Sequence, residues 1–153
     1  MGLSQLEMDL YQQMILEHNR KPRNFKELPD ASYSAEGFNP LCGDHLWIYV
    51  KTADDGKIEE ISFSGTGCAI SKASASMMTI ILRGKTVEEA EEVFDEFRRL
   101  IIGDLDPEKA QALGKLKVFA GICRYPSRVK CAGLAWHTMH GAMTKVSKRV
   151  STE

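Results

Sequence analysis

A chain of 153 residues, 43% hydrophobic and 27% charged, is long enough to bury one core and has the balance of an ordinary soluble domain. Its net charge of −1 supplies no basic excess to neutralise phosphates, which argues against nucleic acid as the main partner. No apolar run is long enough to cross a bilayer as a helix, so no membrane role is expected.

The opening Met-Gly-Leu-Ser-Gln-Leu has no basic segment followed by an apolar stretch, and Leu6 stands where a myristoylation signal needs Ser or Thr. Without an export signal, the four cysteines point to reduced thiols and metal chemistry in the cytoplasm rather than to disulfides. Ser4-Gln5-Leu6-Glu7 is a capping box that predicts a helix starting at Ser4, with Leu3 stapled onto Met8 and an apolar face of Leu6, Leu10, Tyr11 and Met14. Asn19 through Pro22 stops it, and His18 near its end reads as a partner of the helix dipole. The basic run Arg20-Lys21-Pro22-Arg23-Asn24-Phe25 reads as a solvated loop, with a contact surface for an acidic partner as the alternative.

Strands follow at residues 46–50 and 58–63, joined by the Asp54-Asp55-Gly56 hairpin signal, and a weaker one lies near residues 32–36. Residues 68–82 are rich in Ala, Ser and Met and predict a helix with Cys68 at its N-terminus, where the partial positive charge favours thiolate. Met77 and Met78 read as core filling. Thr86-Val87-Glu88-Glu89 is a second capping box, followed by Ala90, Val93, Phe94, Phe97, Leu100 and Ile101 at helical spacing. Asp106-Pro107 starts a short helix ending near Gly114, so residues 103–122 read as an excursion between two main helices. The last helix starts near Pro126-Ser127 and runs towards Arg149, with Cys131 facing inward beside Leu134, Ala135, Thr138 and Ala142. The expected fold is one α+β domain over residues 1–153: a small antiparallel three-stranded sheet packed against about five helices, with an insertion at about 103–122.

Chemistry concentrates on Cys42, Asp44, Cys68 and Cys131. Cys42 and Asp44 flank Gly43 in Asn39-Pro40-Leu41-Cys42-Gly43-Asp44, where proline and glycine impose a turn that lets two side chains bracket one point. Cys68 closes Gly65-Thr66-Gly67-Cys68. The alternative for each cysteine is an ordinary small buried thiol, and the adjacent glycines weigh against it at Cys42 and Cys68. Three thiols and a carboxylate form a tetrahedral set suited to zinc, although iron–sulfur clusters favour the same thiolates. His45 rivals Asp44 as a ligand, but strand alternation directs the two to opposite sides and favours Asp44. His137 and His140 lie about 120° and 180° around a helix from Cys131 and are poor co-ligands. Cys123 is the surplus thiol, a packed bystander or else a resolving thiol.

Four stretches carry a resemblance. Leu10-Tyr11 through Ile15-Leu16-Glu17-His18 to Pro22-Arg23-Asn24-Phe25, the Asn39-Pro40-x-Cys42-Gly43-Asp44 turn, Gly67-Cys68-Ala69-Ile70-Ser71-x-Ala73-Ser74-Ala75-Ser76-Met77-Met78, and Tyr125-Pro126-x-Arg128-x-Lys130-Cys131-Ala132 together resemble the IscU/NifU-N-terminal superfamily over nearly the whole chain. Within it the chain is similar to the SufU branch of zinc-dependent sulfurtransferases. The cluster-scaffold branch has a histidine immediately before its last cysteine where Lys130 stands here, and the 103–122 excursion is similar to an insertion of the SufU branch. The resemblance implies iron–sulfur cluster biogenesis, with Zn2+ as cofactor and Cys42 as catalytic sulfur acceptor. Sulfur would come as persulfide from a SufS-type cysteine desulfurase and pass to a SufBCD-type assembly complex. A scaffold that builds and transfers a [2Fe–2S] cluster is the alternative. Cys123 departs from the family pattern.

Overall fold

Alternation along residues 44–52 sends Leu46, Ile48 and Val50 to a fully buried face and their neighbours to the other. The computed structural model describes residues 4–144 and 149–152. In chain order it has α1 (Gln5–Arg20), β1 (Tyr33–Asn39), β2 (Asp44–Thr52), β3 (Ile58–Thr66), α2 (Ala69–Leu82) and α3 (Val87–Ile101). Two 3-10 segments, Pro107–Lys109 and Gly114–Arg124, lead to α4 (Pro126–Thr144) and β4 (Arg149–Ser151). The helices lie on the apolar face of the sheet, and α4 crosses β1 so closely that a Cβ on Gly37 would stand 2.0 Å from Thr138 Oγ1.

Local signals hold well. Ser4 Oγ accepts the Glu7 N–H at 3.1 Å and starts α1, and Thr86 and Glu89 form a complete reciprocal box at α3. The Asp-Gly turn closes with Gly56 at a φ of 83°, joining β2 and β3 in antiparallel register.

The sheet has four strands in the order β3-β2-β1-β4, not three. β4 lies parallel to β1, with Gly37 opposite Val150, so the sheet is mixed rather than antiparallel. Accordingly Arg149 stands in β4 rather than near a helix end, while α4 is described as far as Thr144 and the residues between lie outside the described ones. A strand of three residues carries almost no pattern of its own; it exists because β1 would otherwise leave its outer edge unpaired. The buried side of α1 also differs from expectation. Leu6 and Leu10 are 69% and 45% exposed, while Tyr11, Met14, Ile15 and His18 face the core, because α2 and the second 3-10 segment cover only that stripe. The expected Leu3 staple lies outside the described residues.

His18 is no dipole partner at the surface: it is buried with Nδ1 2.7 Å from Ser76 Oγ. The basic loop after α1 is likewise strapped down. The Arg23 N–H donates to Ser76 Oγ, Asn24 Nδ2 donates to Thr79 Oγ1, and the Phe63 N–H donates to the Asn24 carbonyl. Residues 103–122 form part of the core wall. The short helix stops at Lys109, and the second 3-10 segment brings Leu116, Phe119 and Ile122 inward. Phe119 meets Phe97 edge-on at 5.6 Å, and Phe97 stacks on Trp136 at 4.6 Å.

Candidate metal centre

Three elements converge at one end of the sheet. β1 ends at Asn39 and β2 begins at Asp44, directly opposite in the register. Between them the Cys42 N–H donates to the Asn39 carbonyl at 3.2 Å, and Gly43 takes a φ of 73° that a side chain would oppose. This turn lifts Cys42 into solvent and drops Asp44, 1% exposed, beneath it. Cys68 caps α2, its sulfur 3.5 Å from the Ser71 N–H. Cys131 reaches the same place from the second turn of α4 and is buried. The two helices are tied together by Ser74, whose hydroxyl donates to the Ala132 carbonyl at 2.6 Å and accepts from Trp136 Nε1 at 3.1 Å.

The Cys42 sulfur, an Asp44 carboxylate oxygen and the Cys131 sulfur lie within 4.8 Å of one another. The Cys42 and Cys131 sulfurs are 3.1 Å apart as free thiols. Cys68 Sγ stands at the edge of this trio, 3.9 Å from Asp44 Oδ2, while its backbone N–H donates to Asp44 Oδ1 at 2.7 Å. A Cβ on Gly67 would crowd Ser71 Oγ at 2.3 Å and Asp44 Oδ1 at 3.2 Å, so glycine there lets the carboxylate approach α2.

Zinc fits this set. Zinc–sulfur bonds of about 2.3 Å place tetrahedral ligand atoms about 3.8 Å apart, close to the spacing of these groups. The stronger reason is electrostatic: Asp44 is a buried carboxylate, and among the described residues no Lys, Arg or His reaches it as an ion-pair partner. The thiols reinforce this. The hydrogen bond from Cys131 and the Ser71 N–H hold the Cys68 pKa down to about 6, although burial and Asp44 oppose them. Cys131 is pushed well above the ordinary thiol range by its hydrogen bond to Cys68, by burial and by its hydrogen bond to Cys42. Deprotonating all three sulfurs beside a carboxylate requires a cation among them.

His45 sits on the other face of β2, its Nε2 2.9 Å from Glu36 Oε2 and its ring between Phe38 and Trp47. His137 packs edge-on against Phe94, and His140 Nδ1 is 2.6 Å from Glu91 Oε2. Cys123 is exposed and lies against Gly103 and the Ala120 carbonyl, apart from the trio. One residue escapes a reading from sequence. Asn39, fully buried, donates from Nδ2 to Asp44 Oδ2 at 3.2 Å and to Cys131 Sγ at 3.4 Å. As the start of an Asn-Pro turn it looks like turn chemistry, and only its position opposite Asp44 reveals the second use.

Residues 10–151 match the NifU-like N terminal domain. The chain is 38% identical over 145 residues to the iron-sulfur cluster assembly scaffold protein IscU of Streptococcus pyogenes serotype M1, covering 95% of this chain and 89% of that one. It is 36% identical over 136 residues to the zinc-dependent sulfurtransferase SufU of Bacillus subtilis, covering 89% and 90%. A solved structure from Fervidobacterium islandicum AW-1, described as a cluster assembly scaffold for the SUF system, matches with a TM-score of 0.81 at 32% identity, over 88% of this chain and 97% of that chain.

Proposed function

This chain belongs to the NifU-like N-terminal domain family, and from that premise we propose that it serves iron–sulfur cluster assembly as a zinc-dependent sulfur acceptor. Cys42 takes persulfide sulfur from a SufS-type cysteine desulfurase and passes it to a SufBCD-type assembly complex. The observation that carries this reading is the layering of the trio, an exposed thiol on a glycine turn above a buried carboxylate and a buried thiol. Cys42, Asp44, Cys68 and Cys131 would hold the zinc, which when bound keeps thiols deprotonated at neutral pH.

Among these cysteines, Cys42 is the one on a turn, so it can meet another protein with least disturbance to the fold; Cys68 and Cys131 are built into helices. Its thiolate attacks the outer sulfur of the desulfurase persulfide. A new S–S bond forms at Cys42, the partner's S–S bond breaks, and the partner leaves as a thiolate. Cys42 then carries the persulfide, and attack by an acceptor thiolate on its outer sulfur returns Cys42 to thiolate. Asn39 keeps Asp44 and Cys131 in place throughout. The four free cysteines suit a reducing, cytoplasmic setting, and no helix among the described residues is long and apolar enough to cross a membrane.

A second reading, a scaffold that assembles and transfers a [2Fe–2S] cluster, is favoured by the name of the Streptococcus pyogenes relative. Against it, Lys130 precedes Cys131, and a protonated amine cannot ligate a metal. Metal analysis and mass spectrometry after reaction with desulfurase and cysteine separate the two. Sulfur transfer expects one zinc per chain and one added sulfur atom on Cys42. A stable, stoichiometric cluster that passes intact to an acceptor, with no sulfur added to Cys42, would establish the scaffold instead.

A further inference from the structure

A cleft of about 220 Å³ opens between α1, the second 3-10 segment and the start of α4. Met8, Val118 and Ile122 give it apolar walls, and Tyr11, Arg124 and Arg128 line it with donors. Two features lack an acceptor or a counter-charge. Tyr11 Oη is sealed from solvent beside the Arg128 guanidinium, and its O–H has no acceptor among the described residues, a state folded proteins rarely leave unanswered. Arg23, Arg98 and Arg99 each meet a carboxylate, whereas among the described residues Arg124 and Arg128 meet none; the Arg128 guanidinium lies over the Tyr125 ring at 4.5 Å.

The phenol keeps its proton, because burial raises its pKa more than nearby Arg128 lowers it. It also feels Cys68 and Cys131, and Arg128 stands one helical turn before Cys131, so the cleft flanks the thiol cluster. Two planar guanidinium forks and a hydroxyl donor over apolar walls match a carboxylate on a short aliphatic stem.

We propose that this cleft is a carboxylate-binding site beside the thiol cluster. The carboxylate belongs either to a small free acid or to an Asp or Glu side chain of a docked protein. NMR titration of the full chain at fixed ionic strength with propionate, propan-1-ol and inorganic phosphate tests it without any sulfur chemistry. Propionate is expected to shift the Met8, Val118 and Ile122 resonances saturably and propan-1-ol to leave them in place. Arg124→Gln should weaken propionate binding about tenfold or more. Tyr11→Phe, which removes a hydroxyl that has no acceptor among the described residues, should weaken it severalfold. Propionate binding no better than propan-1-ol, or more weakly than phosphate, would overturn the assignment. A further arm, which rests on the sulfur-transfer reading, identifies the source: propionate that competes with desulfurase binding points to a docked side chain, and propionate that leaves it unchanged points to a free acid.

Discussion

Five residues apart on α4, Cys131 and Trp136 meet opposite kinds of neighbour. Around Cys131 the contacts are few, polar and directional: the Asn39 amide, the Cys42 thiol and a carboxylate. Around Trp136 they are broad and apolar, with Phe97 stacked on the indole and Phe119 set against Phe97. The first region is open at Cys42, so its chemistry can change by one side chain while the fold persists. In the second every atom fills space that nothing else can fill.

Replacing one residue in each region gives the largest expected difference. Phe97→Ala empties a fully buried site and should cost about 3–5 kcal/mol, lowering the melting temperature by on the order of 10 °C in a chain of this size. Cys42→Ala, measured alongside in metal-free protein, should stay within about 1 kcal/mol of the parent while abolishing sulfur acceptance. Comparable losses of stability from both would erase the contrast.

Asn39 sharpens it from inside the thiol region. Asn39→Ala leaves Asp44 Oδ2 and Cys131 Sγ without their shared donor and should weaken metal binding about 10- to 100-fold, with a smaller loss of stability than Phe97→Ala. Competition against a chromophoric chelator measures this. Unchanged affinity would reduce Asn39 to a turn former.

The smallest effect is a pH dependence seated away from the thiols. Burial lowers the pKa of His18 and of His137 in the fold, with Arg23 adding to it at His18 and with His140 and Arg98 adding to it at His137. Below the unfolded value of about 6.5 the unfolded chain takes up protons that the folded chain refuses. Their contribution is therefore complete above that pH and is lost as pH falls towards the folded values. Urea unfolding at pH 7.5 and 5.5 should show a shallower decline for His137→Leu than for the parent. Equal slopes would place the pH dependence elsewhere.

What could be read from sequence was what a few consecutive residues decide. Ser4 and Thr86 announce their helices because a cap satisfies its own first turn. The Asp54-Asp55-Gly56 turn sets one hairpin, and period-two alternation separates Asp44 from His45. The residue types of Cys42, Asp44, Cys68 and Cys131 were legible for a related reason, because each sits on a local device, a turn, a cap or an inward helix face. Tertiary structure decided everything that depends on a distant partner. β4 pairs because β1 offers an edge, Leu6 and Leu10 stay in solvent because nothing among the described residues covers that side of α1, and residues 103–122 join the core because Phe97 and Trp136 await Phe119. Asn39 becomes part of the site only when β1 and β2 pair and α4 delivers Cys131. Hydrogen bonds within a turn and side-chain periodicity are written in neighbouring residues, but the burial of a face and the pairing of an edge belong to two segments at once, and no single stretch of sequence contains both.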